Sequence, residues 1–205
     1  MLLEAQKGNA EIIEKAVALL RGKVPEGKIA LAETFTRQYY SRVEADDLAE
    51  RNLSDLCGAA LAHLDFVGKF KSGAPKLRVY NPQIQKDGWE SSHTIIEVVN
   101  DDMPFLVDSV TMEINRQGLK AHLTIHPVIK TKREADGELN EILPPEVVQS
   151  GPSESVMHAR NSGERLFGGC LGQTRSPAGP RARSNCLARS CNCRPAQRAR
   201  LMPLA

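Results

Sequence analysis

The chain has 205 residues, of which 41% are hydrophobic, 25% charged and only 4% aromatic, and its mean hydropathy is -0.34. These values are typical of a soluble globular protein, and no apolar run approaches the roughly 20 residues that a membrane-spanning helix needs. Charges interrupt the N-terminal segment, so it lacks the apolar core of a secretory signal. We therefore expect a cytoplasmic protein with no membrane partner.

Three helical patterns fill the first 72 residues. In the first, apolar residues recur at helical spacing from Asn9 to Leu20, and Gly22 and Pro25 end the pattern. The second and third patterns run over residues 31–43 and 53–64. We predict a small N-terminal helical region, residues 1–72, in which Cys57 faces the core.

After a linker-like stretch at residues 71–75 the pattern changes to short β-branched runs bounded by turn residues. The predicted elements are strands at Lys76–Tyr80, His93–Val99 and Leu119–Ile129, a helix at Pro104–Gln117, a hairpin turn at Ala135–Glu138 and a further strand from Glu154 to Arg160. This order forms most of a ferredoxin-like βαββαβ unit without its second helix and last strand. The predicted fold class is α+β, with an incomplete antiparallel sheet at residues 73–159.

The net charge of +2 conceals two compositions that meet at Arg160. Residues 1–159 carry 18 Lys and Arg against 24 acids, a net charge of -6, whereas residues 160–205 carry nine Arg, no Lys and one acid, a net charge of +8. Arginine without lysine, among scattered Cys, Pro and Gly, is typical of a shifted reading frame in a GC-rich gene. We predict that 160–205 is an out-of-frame, disordered basic tail; a native disordered tail is the alternative.

The stretch VNDDMPFLVDSVTMEINRQGLKAHLTIHPV, from Val99 to Val128, closely resembles the N-terminal region of the large bacterial NAD-specific glutamate dehydrogenases. The segments LRVYNPQIQKDGWESSHTIIEVV and RNLSDLCGAALAHL resemble the same family, so the resemblance covers roughly residues 10–159. It implies ACT-like regulatory modules in this part of the enzyme and catalytic and dinucleotide sites far downstream. The resemblance therefore predicts a truncated fragment with no catalytic or cofactor-binding residues of its own, NAD being the cofactor of the parent enzyme.

The segment Asn100–Val110 also resembles the general ACT pattern, in which a strand runs into Asp-x-Pro-Gly-Leu and then a helix. ACT domains of this kind commonly bind amino acids at that loop. The candidate effector loop consists of Asn100, Asp101, Asp102, Met103 and Pro104. Exposed N–H groups at a helix start can hold a carboxylate. Phe105 stands where the usual Gly would be, and its bulk obstructs close approach to the backbone.

Three functions compete on this reading. The first is a regulatory and assembly module of an enzyme that converts glutamate to 2-oxoglutarate and ammonia, in which we expect a homo-oligomer. The alternative is a stand-alone ACT-like amino-acid sensor. Nucleic-acid binding through the nine arginines of the tail is a weaker third hypothesis, because Phe167 is the only aromatic there for stacking.

Two further patterns resemble ligand sites only in part. Gly22–Ile29 matches the first seven positions of a phosphate-binding loop, but Ile29 cannot offer magnesium a hydroxyl, and we predict a helix-to-helix turn. On a strand His122 and His126 would lie roughly 13 Å apart, too far to share a metal ion. The cysteine spacings of the tail do not fit zinc. We therefore expect no metal.

Overall fold

The computed structural model describes residues 2–145 and 152–164, all of which belong to one compact unit, Met1–Gln173. A second unit, Thr174–Ala205, lies outside the described residues. The helices are α1 (Leu2–Leu20), α2 (Ile29–Tyr40), α3 (Ala45–Ala49), α4 (Leu53–Val67), α5 (Ile84–Asp87) and α6 (Leu106–Arg116), with a 3-10 turn at Glu26–Lys28. The strands are β1 (Lys76–Tyr80), β2 (His93–Asp101), β3 (Ala121–Ile125), β4 (Val128–Arg133), β5 (Leu139–Ile142) and β6 (Ser153–Glu164).

The predicted α+β class is confirmed, and the three helical patterns correspond to α1, α2 and α4. Gly22–Ile29 lies in the connection between α1 and α2, as the predicted helix-to-helix turn does. The short helices α3 and α5 were not predicted, because neither is long enough to show a helical period. No helix in the described part of the chain is long and apolar enough to cross a bilayer.

The six strands form one antiparallel sheet with β6 at its centre. The order is β1-β2-β6-β4-β5, and β3 pairs with β6 on the same side as β4. In a ferredoxin-like sheet the third strand lies between the first and second, and here β2, β3–β4 and β6 keep that arrangement. The place beside β2 that the fourth strand would take is occupied by β1, which precedes the unit in sequence. This edge of β2 is therefore paired.

The single strand predicted at Leu119–Ile129 is divided into β3 and β4. Both pair with β6 in one continuous register, Ile125 opposite His158 and Val128 opposite Ser155. The interruption falls at Pro127, which has no N–H to donate but whose carbonyl accepts from Val156 N at 3.0 Å. After the break β4 runs on to pair with β5 around the predicted turn at residues 135–138.

A bulge also changes one predicted face of β3. A strictly alternating strand would place the side chains of Ala121, Leu123 and Ile125 on one face of the sheet. The register shifts between Ala121 and Leu123, so Ala121 packs toward α6 while Leu123 and Ile125 face the N-terminal helices. An extra residue in a strand reverses the direction of side chains beyond it, which an alternating pattern alone does not reveal.

The sheet separates two layers of helix. Its first face packs against α6 through Val98, Met157 and Ala159, together with Ile114 of the helix. Its other face packs against α1, α2 and α4 and shares their core; the strand residues of that core are Val99, Ile125, Ile129, Leu139, Ile142 and Val156. Because the larger core draws on both regions, the helical region and the sheet bury their apolar surfaces together.

Strand β6 continues through Glu164 and so runs five residues into the segment that the composition assigned to the tail. Arg160 pairs with Ile95 on one side and Leu123 on the other, and Asn161 is opposite Ala121. These pairings belong to the central strand, so residues 160–164 are part of the sheet. The predictions for residues 165–205, including disorder and the four cysteines, concern residues outside those described.

Candidate functional site

The candidate loop lies where β2 ends and α6 begins. Asn100 is the last buried residue of β2, and its side-chain Nδ2 donates to Met103 Sδ at 3.1 Å. Met103 and Pro104 are exposed beyond it. Four of the five candidate residues therefore lie next to one another at the surface. Asn100 is buried, and its side-chain amide bonds to Met103 within the loop.

Both acids of the loop already have partners. Asp101 Oδ2 accepts hydrogen bonds from Ser72 Oγ at 3.0 Å and from the backbone N–H of Gly73 at 2.7 Å. Asp102 Oδ1 accepts from Ser155 Oγ at 2.7 Å. The two carboxylates thus tie the loop to the linker before β1 and to the start of β6, and they fix the direction in which α6 leaves the sheet.

Phe105 precedes α6 and has a left-handed backbone, with φ at 63°. It is the one non-glycine residue with positive φ in the described chain. The backbone at this position therefore adopts the conformation that a glycine would favour, although the residue is Phe. Its side chain is 77% exposed, so the ring lies in solvent beside the helix start instead of filling it.

The start of α6 has no side-chain cap. The side chain of Phe105, the N-cap residue, makes no cap hydrogen bond in this 11-residue helix, and the first intrahelical bond runs from Ser109 N to the Phe105 carbonyl at 2.9 Å. The N–H groups of Leu106 and Val107 thus belong to the orphan donors of the first turn. Such donors, at the positive end of the helix dipole, can bind a carboxylate.

A second polar centre lies inside the protein, around Glu97 of β2. This carboxylate is fully buried and is held by Arg78 of β1, whose Nε donates at 2.8 Å and whose Nη2 also donates to it. Tyr80 OH donates to its other oxygen at 3.1 Å. Burial favours the protonated acid, but His63, His158 and Arg78 together outweigh it and lower the pKa of Glu97 to about 2.

Two buried histidines complete this centre. His63 of α4 shares a hydrogen bond with Tyr39 OH at 3.1 Å, and His158 Nδ1 lies 3.5 Å from Glu97. Burial lowers the pKa of His63 to about 3 and also lowers that of His158. Both rings are therefore neutral near pH 7, and Arg78 is the cation that holds Glu97 ionised.

Comparison with known proteins decides between the families that this fold could belong to. Residues 35–162 match the family model described as Glutamate dehydrogenase, ACT1 domain, which covers more than half of the chain. The chain belongs to this family. The matched residues include α4, β1 to β5, all but the last two residues of β6 and the whole candidate loop, so the ACT1 domain comprises nearly all of the sheet together with part of the N-terminal helices.

Two curated relatives are NAD-specific glutamate dehydrogenases. The chain is 37% identical over 141 residues to the protein of Halomonas elongata, which covers 69% of the chain and 9% of the relative. It is 46% identical over 110 residues to the protein of Pseudomonas aeruginosa, which covers 54% of the chain and 7% of the relative. The chain thus spans less than a tenth of the length of either relative. No solved structure shows a significant match.

Within the ACT1 domain, His63, Glu97 and His158 are the described residues that meet the geometry of a metal site. Their ligating atoms lie within 4.8 Å of one another. Arg78 already neutralises Glu97, so a divalent cation would add uncompensated charge to a dry interior. We therefore interpret the cluster as a buried polar network that orients α4 on the sheet.

The sequence did not single out Glu97. One signal was present, because Glu97 interrupts an apolar run, IIEVV, and Arg78 interrupts the strand KLRVY in the same way. A charge in a run of this kind is either at an edge or paired. The pairing itself depends on β1 lying beside β2, where Arg78 is opposite Glu97.

The other candidate ligands are separated by the fold. His122 lies exposed on β3, whereas His126 is half-buried beyond the end of that strand, so they do not form a pair. His126 lies next to the break at Pro127, and its Nε2 is buried. Asp47, Glu50 and Glu90 are exposed, whereas Asp55 is half-buried.

Proposed function

We propose that this chain is an N-terminal regulatory and assembly module of an NAD-dependent glutamate dehydrogenase and is not catalytic by itself. The reaction of the parent enzyme would be the oxidation of glutamate to 2-oxoglutarate and ammonia, with NAD bound elsewhere in that enzyme and homo-oligomeric subunits. The observation that supports the proposal is the ACT1 family match over residues 35–162. A cytoplasmic location remains a prediction from the sequence.

The regulatory part of the proposal concerns an amino-acid effector at Asn100, Asp101, Asp102, Met103 and Pro104. The uncapped first turn of α6 offers N–H donors for the carboxylate of the ligand. Asp101 and Asp102 lie beside this turn and would attract its ammonium group, each through the carboxylate oxygen not used within the protein. The exposed Phe105 ring leaves the backbone accessible from the side opposite to it.

Titration of the full chain with a panel of free amino acids tests this assignment. We expect at least one amino acid to bind and to shift the backbone amide NMR signals of residues 100–108. Asp102→Asn should weaken that binding about tenfold by removing the ammonium partner. Asp136→Asn, an exposed acid in the turn between β4 and β5, is the matched control and should leave binding unchanged.

If no amino acid perturbs these signals, the effector assignment is wrong, and assembly alone remains as the proposed role.

The stand-alone sensor is the second candidate, favoured by the paired edge of β2, since a sheet without an open edge there needs no further strand. Transfer of residues 35–162 into the Pseudomonas aeruginosa enzyme separates the two. If this chain is a regulatory module, the chimeric enzyme should keep a dehydrogenase activity that responds to the amino acid. If it is a sensor unrelated to the enzyme, that response should be lost.

A further inference from the structure

A polar groove lies at the opposite end of β2 from the candidate loop. It consists of two adjoining cavities, of about 400 Å³ and about 220 Å³, that share Glu50, Arg51 and Arg160 as lining residues. The larger cavity is of the size that small ligands occupy. With His93 at one end of the nine-residue strand β2 and the loop at the other, the groove and the loop are separate places.

Two arginines of this groove are not in ion pairs in the described part of the chain, although Asp47 and Glu50 lie near Arg160 and act to raise its pKa. Arg51, just before α4, and Arg160, on β6, form no ion pair with any carboxylate in the described part of the chain, and Arg160 Nε is buried without a hydrogen-bond partner. Burial, followed by the proximity of Arg51, lowers the pKa of Arg160. The like charge of Arg51 beside Arg160 is costly, and an anion bound between the two guanidinium groups would relieve it.

Further basic groups line the smaller cavity. The rings of His93 and His122 stand edge to face, with centroids 5.9 Å apart. Burial, Arg160 and His122 lower the pKa of His93, so the ring of His93 can offer a neutral N–H donor to an anion near pH 7. Asp47 and Glu50 also line this cavity, so donors and acids face it together.

Acids occupy the rest of the rim. Glu50 and Glu90 are exposed at the larger cavity, and Asp55 lines it between them. Phosphate, which carries only negative charge, would be repelled by them, whereas a carboxylate ligand that also carries an ammonium group would match both sets of charges. Trp89 and Ile95 add an apolar wall for the rest of such a ligand.

We propose that this groove binds a small carboxylate, held between Arg51 and Arg160, with preference for one that carries an ammonium group. Two guanidinium groups can each bind a carboxylate through paired N–H donors, which neither a lone lysine nor a helix end can do. The acidic rim selects against phosphate. This site is independent of the loop proposed as the effector site and would persist if that assignment failed.

Trp89 provides the readout, because it is the only tryptophan of the chain and lines the larger cavity. Glutamate, 2-oxoglutarate and inorganic phosphate are titrated at constant ionic strength while the indole N–H signal of Trp89 is followed by NMR. We expect glutamate to shift this signal with saturation, 2-oxoglutarate to bind more weakly and phosphate to have no saturable effect. Arg51→Gln and Arg160→Gln should each weaken glutamate binding at least tenfold.

Two control variants show whether glutamate binds in this groove or elsewhere on the protein. Arg116→Gln, an exposed arginine of α6, should leave glutamate binding unchanged, and Asp102→Asn should change only the signals of residues 100–108. Thermal unfolding of each variant verifies that it is folded, and Arg51→Gln, outside the sheet, serves if Arg160→Gln unfolds. Saturation equal for phosphate and glutamate, or binding that survives Arg51→Gln, would overturn the proposal.

Discussion

Phe105 combines an exposed ring with a backbone conformation that disfavours side chains. At φ of 63° a non-glycine residue costs on the order of 1 kcal/mol or more, and the ring contributes little burial in return because it is 77% exposed. Strained residues of this kind persist where the neighbouring structure imposes them. Here the hydrogen bonds of Asp101 and Asp102 hold the chain before Phe105, and α6 holds it after Phe105.

Phe105→Gly should therefore stabilise the protein by about 1 kcal/mol, because glycine adopts this conformation without the steric cost. Urea unfolding measures the change in the free energy of unfolding. Phe105→Ala is the matched control, since it removes the ring but keeps a Cβ, and we expect it to differ from the wild type by less than about 0.5 kcal/mol. A destabilised glycine variant would mean that the ring itself contributes to stability.

The buried histidines make stability depend on pH. The pKa of His63 is about 3 in the folded protein against 6.5 as its ordinary value, so between these values the unfolded chain binds more protons. Stability is therefore complete above pH 6.5 and falls as the pH drops. From pH 6.5 to 5, His63 alone should lower the free energy of unfolding by about 2 kcal/mol, at about 1.36 kcal/mol per pH unit.

Urea unfolding at a series of pH values tests this dependence. His63→Gln should reduce the slope of stability against pH in this range, even if it lowers stability throughout. Equal slopes for His63→Gln and the wild type would show that other groups carry the pH dependence. The lowered pKa of Glu97 adds a further loss only below pH 4.5.

At the level of residues, the sequence singled out the candidate loop, which stays a prediction, but not the buried centre around Glu97. Residues Asn100 to Pro104 are consecutive in the sequence, so a local sequence motif was sufficient to single them out. Glu97, His63 and His158 lie on three elements far apart in the chain, and only the fold brings them together. The left-handed backbone of Phe105 was also beyond the sequence, since Phe itself disfavours it.

At the level of elements, α4 and the segment around Trp89 depend on one glycine. A Cβ on Gly58 would overlap the Cβ of Trp89 and come within 3.1 Å of the Gly88 carbonyl. The helix approaches this segment closely because Gly58 has no side chain. Trp89 packs there with Ala59 and Ile95 in a small cluster of its own.

Gly58→Ala should accordingly destabilise the protein by about 2 kcal/mol, as overpacking does, despite the better helix propensity of alanine. Gly8→Ala in α1 is the matched control. Nothing lies within 4 Å of a Cβ there, so we expect a gain of about 0.5 to 1 kcal/mol from propensity alone. Chemical denaturation compares the two, and a Gly58 variant as stable as the Gly8 variant would contradict the close packing.

The sequence predicted strands more accurately than their partners. Lys76–Tyr80 was placed correctly, yet its position beside β2 was not foreseen, because period-two patterns indicate faces and not neighbours. The division of Leu119–Ile129 at Pro127 followed from a proline that the pattern contained. The bulge after Ala121 had no such signal.

At the level of the whole molecule, one core joins the N-terminal helices and the sheet. Tyr39 of α2, Cys57 of α4 and Val156 of β6 belong to the same buried cluster. We therefore predict a single unfolding transition in which far-UV circular dichroism and Trp89 fluorescence coincide. A chain lacking residues 1–72 should lose that transition, because it exposes the strand face that these helices cover. Two separate transitions in the full chain would contradict the shared core.

The central position of β6 also determines when the sheet can assemble. Its partners β2 and β3 precede it by several tens of residues, and they make no strand pairing with each other without it. While the chain is being synthesised, only the pairs β1–β2 and β4–β5 can form early. The two halves of the sheet cannot join until residues 153–164 have been synthesised. Folding should therefore be slow and limited by one late, long-range step. Until then, the growing chain exposes the edges of β2 and β3 to chaperones and to other nascent chains.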